Sequence, residues 1–526
     1  MGGGVTEYTA PPGLKMSKVK AVLSDQYSCS IAPRRRTRCV YLDTFDWRIH
    51  ADGAMLELTS QDGKFSATWV DLNASERPGS IVLDRQPRFA EDISSLPLRR
   101  RLAPVIEMRA LLPQIEVQNE IETLALMNQD RKTVVRIQLV TESSSEPGHG
   151  KSLNAITYLK VIPFRGYSKH RERVMRVLTD EFDLAEIEGD PIRRTMAKLH
   201  RAPDDPSRLW VELNADMRAD TAMKLVLQHL FNTIDVNEEG TKTNIDSEFL
   251  HDFRVAIRRT RSVCTQVKGV FPSEVLQRFT SELKWLGGVT GATRDLDVYL
   301  LIFDQYKHSL PDFQRDHLEP LREFLQVHQK LEQQELATSL SSSRYRELKR
   351  DWRTLVDLPD AETTTLPNAA RPIKDVVNGR IWRAYRQVIK QGRAIGPKTL
   401  AVELHDLRKT CKKLRYLMEI FQALYPSAKL KRLIKVLKVL QENLGDFQDF
   451  EVQSVTLRKF GQQMKDESHV GADTLFAMGA LIANLDKRQR EARRAFSAIF
   501  DEFDCIANHA LFKEVFLGEL QQPVAA

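Results

Sequence analysis

The sequence has no run of about 18 apolar residues, the length a bilayer-crossing helix needs, so no membrane span is expected. Its five cysteines (Cys29, Cys39, Cys264, Cys411 and Cys505) are odd in number, scattered and without CxxC spacing, which argues against a disulfide framework and against a thiolate zinc site. The opening MGGGVTEYTAPPG lacks the apolar core of a secretory signal. Met1 to Thr6 fits the short N-myristoylation pattern, but a flexible tail and a cytoplasmic location are the expectation. What the chain does have is charge: 78 Lys and Arg against 71 Asp and Glu give +7, a modest excess that matters only where it is clustered. At 526 residues and 42% hydrophobic side chains, two or three separate cores are expected.

The clustering lies in a duplication. Residues 251–298 recur without a gap at 405–452, offset by 154, with 14 identical pairs over 48 positions. Those pairs include His251/His405, Asp252/Asp406, Arg254/Arg408, Arg261/Arg415, Arg278/Arg432 and Lys284/Lys438; Arg258/Lys412 and Arg259/Lys413 are like for like. A repeat under selection only to fold keeps its apolar period and lets its surface drift, so retention of charge points to function. At about 100° per residue, His251, Arg254, Arg258 and Arg261 fall within an arc of roughly 80° on a helix, opposite Phe253, Ile257, Thr260 and Cys264. His405, Arg408, Lys412 and Arg415 repeat the stripe, opposite Leu407, Cys411, Leu414 and Met418. Such rows of like charge oppose stability. A single row reads most simply as a solvated helix face, but two in the same register read as a polyanion-binding surface.

Taken in order, residues 1–205 read as a β-rich domain, with strands at KVKAVLS, RCVYLDT, AMLELTS, KFSATWVDL, SIVLDR, IEVQNEIETLAL, TVVRIQLVT and AITYLKVIP and helices at 169–182 and 191–200. APDDPS (202–207) reads as a linker. Residues 208–515 have a helical period throughout and divide into units 210–356 and 372–515, expected as two equal bundles packed face to face. In the first, a helix begins at Pro272 and ends near Gly287, Gly288 and Gly291, and one long helix covers about 313–356. In the second, the Pro426 helix and DFEVQSVTLRKF are read as separate elements.

YLDTFDWRIHADGAMLEL (41–58), with LRRRLAPVIEMRALL, RKTVVRIQLV and LKVIPFRGYSKHRERVMRVL, resembles the CYTH family. That resemblance implies a closed antiparallel barrel whose enzymatic members bind a triphosphate and a metal in a tunnel. The pattern departs where chemistry would need it. The family's opening Glu-x-Glu-x-Lys strand would fall near LKMSKVKAVL, which has no carboxylate; the basic strand reads Leu56, Glu57, Leu58; the later acidic strand reads Val134, Val135, Arg136, Ile137, Gln138. Metal-assisted phosphoryl chemistry needs inward carboxylates for the cation and basic residues for the phosphates. A catalytically silent domain is therefore expected, with Arg99, Arg100, Arg101 and Arg109 as ordinary surface charge.

The duplicated H-x-x-R-x-x-x-[RK]-x-x-R helix, followed by L-K-x-L and G-x-x-x-D, resembles the CHAD family over about residues 210–515. The resemblance implies a pseudo-twofold helical domain whose basic surface binds inorganic polyphosphate. The residues implied are His251, Arg254, Arg258, Arg259 and Arg261, and His405, Arg408, Lys412, Lys413 and Arg415. Arg278, Lys284, Arg432, Lys435 and Lys438 join them from the neighbouring helices. Linear phosphates offer acceptor oxygens and no base edges, which suits rows of Arg forks and Lys point charges. Nucleic acid is disfavoured as principal ligand because the rows lack interleaved aromatics.

The His-Asp dipeptides raise an HD-type phosphohydrolase as an alternative. His229 lies upstream of the first pair, but its equivalent is Arg383, so the duplication does not keep such a ligand. Asp295 and Asp449, with Asp297 and Glu451, read instead as helix N-terminal carboxylates or as groups that orient the arginines. The expectation is a cytoplasmic, non-catalytic polyphosphate binder, without metal or cofactor, that targets or regulates polyphosphate granules. The alternative is a metal-dependent triphosphate or polyphosphate hydrolase using the N-terminal domain.

Overall fold

The structure, a computed structural model, describes residues 6–61, 64–72, 79–148, 153, 155–164, 166–187, 189–357, 365–467 and 470–518. The N-terminal modification pattern and part of the 357–372 connector fall largely outside these residues. The chain divides into two compact units, Met1–Pro206 and Ser207–Ala526.

In the first unit β1 (Thr6–Thr9), β2 (Ser28–Asp43), β3 (Ala54–Gln61), β4 (Lys64–Asp71), β5 (Ile81–Leu83), β6 (Leu112–Met127), β7 (Thr133–Ser145) and β8 (Ile156–Pro163) form one antiparallel sheet. Its order is β1-β8-β7-β6-β2-β3-β4-β5. The helices are α1 (Met16–Leu23), α2 (Arg48–Ala51), α3 (Leu96–Ile106), α4 (Ser168–Phe182) and α5 (Pro191–Lys198). Met16, Val19 and Leu23 of α1 and Val174, Leu178 and Phe182 of α4 pack with Leu124, Ile137 and Leu159 of the sheet. Leu98, Leu102 and Ile106 of α3 pack with Leu56, Leu58 and Trp69.

KVKAVLS is therefore helical, not a strand: Val19, Ala21 and Leu23 alternate, but the buried set Met16, Val19 and Leu23 has the three-and-four spacing of a helix face. The opening strand lies earlier, at β1. Strand β2 extends well before RCVYLDT through a polar stretch in which Arg34 and Arg36 pair with Glu120 (3.0 and 2.7 Å) and Arg38 with Glu116 (2.6 Å) across the β2–β6 ladder. Cross-strand charge replaces apolar alternation there, so hydrophobic periodicity carries no signal.

The YLDT motif has a structural task. The buried Asp43 carboxylate accepts backbone N–H bonds from Thr44 (2.7 Å), Ile49 (2.9 Å) and His50 (2.9 Å), fixing the turn from β2 into α2. Burial raises its pKa to about 6 despite those bonds. Asp43→Ala leaves three buried donors without acceptors and is expected to destabilise the N-terminal unit by roughly 2–4 kcal/mol. Hydrogen exchange should accelerate at residues 44–50 first; protection there equal to wild type would show that the carboxylate does not hold the turn.

The second unit is helical: α6 (Ala219–Lys242), α7 (Ser247–Gln266), α8 (Ser273–Val289), α9 (Gly291–Leu301), α10 (Phe303–His308), α11 (Asp312–Arg315), α12 (Glu319–Leu340), α13 (Ser343–Asp357), α14 (Ile373–Ala394), α15 (Ala401–Ile420), α16 (Ser427–Glu467), α17 (Ala472–Phe503) and α18 (Ile506–Leu517). The starts of α6 and α14, α7 and α15, and α8 and α16 keep the offset of 154. The repeats meet at equivalent residues. Arg218 lies opposite Pro372 in an antiparallel bridge, Ala219 N–H donates to the Arg371 carbonyl (2.9 Å), and Ile373 N–H donates to the Met217 carbonyl (2.8 Å). Each bond is the image of the other under exchange of the repeats, which places a local pseudo-twofold axis there. Phe253 and Ile257 from one copy and Leu407, Cys411 and Leu414 from the other share one apolar core, so the double bundle is fused rather than two self-contained halves in contact.

Two helices differ from the sequence reading. The helix expected over 313–356 is interrupted twice, by a 3-10 turn at Asp316–Leu318 between α11 and α12 and at Ser341 and Ser342 between α12 and α13. In the second repeat the Pro426 helix runs on through DFEVQSVTLRKF as the 41-residue α16, whereas the first breaks between α8 and α9 at Thr290. Gly287, Gly288 and Thr290 stand where α16 has Gln441, Glu442 and Leu444, all better helix formers. Among the described residues no helix is long and apolar enough to cross a membrane.

Candidate anion-binding surface

Asp246 starts α7 by accepting N–H bonds from Glu248 (2.9 Å) and Phe249 (3.3 Å), so the helix enters in a fixed register. Phe253, Ala256, Ile257, Thr260 and Cys264 are then buried, and His251, Arg254, Arg258 and Arg261 are left half-buried on the other face. Helix α15 does the same with Leu404, Leu407, Cys411, Leu414 and Met418 against His405, Arg408, Lys412 and Arg415.

The two rows converge at equivalent residues. Lys412 is close enough to Arg258, its image under the pseudo-twofold, for the charges to be felt. Burial first, then the charges of Arg408 and Arg258, push the Lys412 ammonium down to about 8, with Asp449 opposing. Burial and Arg258 likewise bring Arg254 down to about 10, against the pull of Asp295. Arg258, Arg261 and Lys412 have no ion-pair partner among the described residues. The Nε atoms of Arg254, Arg261, Arg408 and Arg415 are buried without a hydrogen-bond acceptor. An arrangement chosen for stability would pair these groups.

The G-x-x-x-D motif makes room for the arginines. A Cβ at Gly291 would lie 3.8 Å from Arg254 Nη1, and one at Gly445 would lie 3.7 Å from Arg408 Nη2. Arg254 donates to the Gly287 carbonyl (3.0 Å) and Thr290 Oγ1 (2.8 Å), and Arg408 to Asp449 (3.0 Å). Asp449 thus orients an arginine, as expected. Asp297 does not: it accepts from Gln329 (2.9 Å), and burial raises it to about 6.

A family model described as the CHAD domain matches residues 225–458, a span from within α6 to within α16 that contains both rows. Residues 225–458 are a CHAD domain. The solved structures similar to the chain include the crystal structure of the CHAD domain from the plant Ricinus communis, at 25% identity and a TM-score of 0.46, covering 56% of this chain and 94% of that one. Another is PptA from Streptomyces chartreusis, at 14% identity and a TM-score of 0.43, covering 54% and 100%. No curated protein matches the chain.

The remaining expected residues are distributed unevenly over the CHAD domain. Arg259 is off the row and bonded to Glu419 of the other repeat (3.3 Å), which also lies 3.5 Å from Arg415. The equivalent of Glu419 is Thr265, so Lys413 has no matching carboxylate and is exposed. Lys284 and Lys438, exposed, are three and seven residues before Gly287 and Gly445, on the side of the helix that meets the arginines. Arg278 and Arg432 are nine residues before Gly287 and Gln441, about 180° around the helix at 100° per residue. They face away from the rows, and Arg278 pairs with Asp351. Lys435 is exposed between these two sides. Sequence reasoning missed Glu419 and Arg294; the latter donates to His251 Nδ1 (3.0 Å) and to the Ser247 carbonyl (2.9 Å). Among the described residues no group of three or more His, Cys, Asp or Glu side chains is arranged to hold a metal ion.

In the N-terminal unit the carboxylates sought near LKMSKVKAVL lie elsewhere, because that stretch is α1. Glu7 on the true opening strand pairs with Lys160 (2.9 Å) and Arg194 (3.1 Å), and buried Glu142 on β7 pairs with Arg194 (3.2 Å) and accepts from the Tyr158 hydroxyl (3.2 Å). Arg194 of α5 thus occupies both carboxylates. Arg109 is not surface charge: it is buried, 3.5 Å from Asp46. Arg99 donates to the Ile93 carbonyl (2.8 Å), Arg101 pairs with Asp71 (3.1 Å), and Arg100 is exposed.

Below pH 8 the folded protein bears the full cost of burying the Lys412 charge; as pH rises from about 8 to its unfolded value near 10.4, the folded chain sheds that proton first and the cost fades. Lys412→Met is therefore expected to raise the unfolding free energy at pH 7 by on the order of 1–2 kcal/mol, and by much less at about pH 10. Urea unfolding at the two pH values checks this; an equal gain at both would assign the effect to packing instead of charge.

Proposed function

We propose that the CHAD domain binds inorganic polyphosphate, without catalysis, on the cationic surface formed where the two rows meet. The observation that carries this reading is the approach of Arg258 and Lys412 across the pseudo-twofold, which joins two short rows into one surface whose charges are incompletely compensated. A linear polyanion supplies the compensation and needs no base-reading groups. Tyr416, the aromatic residue beside the second row, is buried and offers no face to a nucleobase, which weighs against nucleic acid. The N-terminal unit we take as a CYTH-like domain that is catalytically silent, since Glu7 and Glu142 are engaged by Lys160 and Arg194. The setting we propose is cytoplasmic, at or near polyphosphate granules.

Calorimetry with polyphosphate of about a hundred units and with tripolyphosphate should show affinity rising with chain length by about 10²-fold, as one polymer engages both rows. Log affinity should fall by several units per unit of log salt if about six cations are neutralised. Either Arg254→Ala/Arg258→Ala/Arg261→Ala or Arg408→Ala/Lys412→Ala/Arg415→Ala should return long chains toward tripolyphosphate affinity. A salt slope near zero, or full long-chain affinity in one triple variant, would remove the surface from consideration. Incubation with Mg²⁺ or Mn²⁺ and labelled polyphosphate should release no phosphate; turnover of about 1 per second or more would make the protein a hydrolase.

A further inference from the structure

The two motif histidines, alike in sequence, are held differently by the residues that face them. In each repeat the partner of the histidine Nδ1 stands 43 residues further on, at equivalent positions: Arg294 for His251 (3.0 Å) and Gln448 for His405 (2.6 Å). A guanidinium has donors and no acceptor, so Arg294 requires His251 Nδ1 to present its lone pair, and the proton of the neutral ring sits on Nε2. The Gln448 Oε1 atom only accepts, so His405 Nδ1 carries the proton and the neutral ring presents a lone pair at Nε2.

Arg294 cannot easily turn away, since it also donates to the Ser247 carbonyl (2.9 Å) and lies 3.6 Å from Glu248. A second proton on His251 would set N–H against N–H and place a cation beside a guanidinium. A second proton on His405 goes to Nε2 and leaves the Gln448 bond intact. Phosphate oxygens accept hydrogen bonds, so His251 can donate to them as a neutral ring, while His405 must first take up a proton.

We infer that Arg294 and Gln448 are positioning residues that make His251 a neutral donor and His405 a proton-gated cation on the same surface. This rests on the polyphosphate reading for its ligand, but not for the state of the free protein. The charged groups around His405 are Glu403, Asp406, Arg408, Lys409 and Lys412 on α15, and Asp449 and Glu451 on α16. From α7 they are Arg258, which faces Lys412, and Arg259, which pairs with Glu419. The buried face of α14 carries no charged side chain. Cations and carboxylates are about equal in number there in the free protein, and an arriving polyanion adds negative charge, so binding itself draws the proton to His405.

The test has two arms on the full chain. Long-range ¹H–¹⁵N spectra of ¹⁵N-histidine protein without ligand, assigned with His251→Gln and His405→Gln, should show the Nε2–H form at His251 and the Nδ1–H form at His405. Gln448→Arg should convert His405 to the Nε2–H form. Calorimetry with polyphosphate of about a hundred units at about pH 7.5, in two buffers of different protonation enthalpy, should show uptake of up to about one proton. That uptake should be kept in His251→Gln and should fall, in His405→Gln and in Gln448→Arg, to the fraction that Lys412, itself pushed down to about 8, takes up. The same tautomer at both rings, or uptake lost in His251→Gln and kept in His405→Gln, would overturn the inference. Absence of polyphosphate binding by the unmodified protein would refute the ligand, and the spectra alone would then decide whether the two rings differ.

Discussion

Burying the apolar faces of α7 and α15 in one shared core dictates where their other faces go. With Phe253 and Ile257 packed in the same core as Leu407, Cys411 and Leu414, the cationic rows lie on neighbouring helices, and the charge of Arg258 is felt at Lys412. Apolar burial at roughly 25 cal/mol per Å² across two repeats is large enough to hold like charges together that would otherwise separate. The unfavourable electrostatics are thus sustained by packing. Glu419 offers a limited exception, bridging Arg259 and Arg415 on one side of the axis only.

Much of this surface was legible in the sequence because the duplication reports the same helix twice. Register, buried face and cationic face all follow from spacings of three and four, and the pseudo-twofold follows from the constant offset. What the spacing could not show was distance between the repeats, since Arg258 and Lys412 are 154 residues apart. Nor could it separate Arg278 and Arg432 from Lys284 and Lys438, whose identity across the repeat is equal but whose sides of the helix are not. Arg294 and Gln448 were hidden for the opposite reason: a pair that differs between copies looks like drift until both are seen on the same atom of equivalent histidines.

The N-terminal unit was less transparent. Helix α1 and strand β1 show how a short amphipathic helix whose Val19, Ala21 and Leu23 alternate imitates a strand, while the carboxylate of the opening strand, Glu7, stands one element earlier. The polar half of β2 was invisible because its arginines are satisfied by glutamates on β6, a pattern that hydropathy reads as loop. In the YLDTFDW stretch, Asp43 proves to be the fastener of a turn, a role that its place in the motif does not announce.

The repeats also differ in mechanical character. Helix α16 is one rod of 41 residues, about 60 Å long at 1.5 Å per residue; the Arg408 guanidinium rests against Gly445 near its middle, and the helix continues unbroken to Leu457 and Met464 of a separate apolar cluster. Its counterpart is jointed at Thr290, one residue from Gly291, where Arg254 rests. Arg408 therefore rests on an unbroken helix that continues into that cluster, whereas Arg254 rests at the break between two helices. Two rows of nearly equal chemistry thereby rest on unequal supports, one helix continuous and the other divided at Thr290.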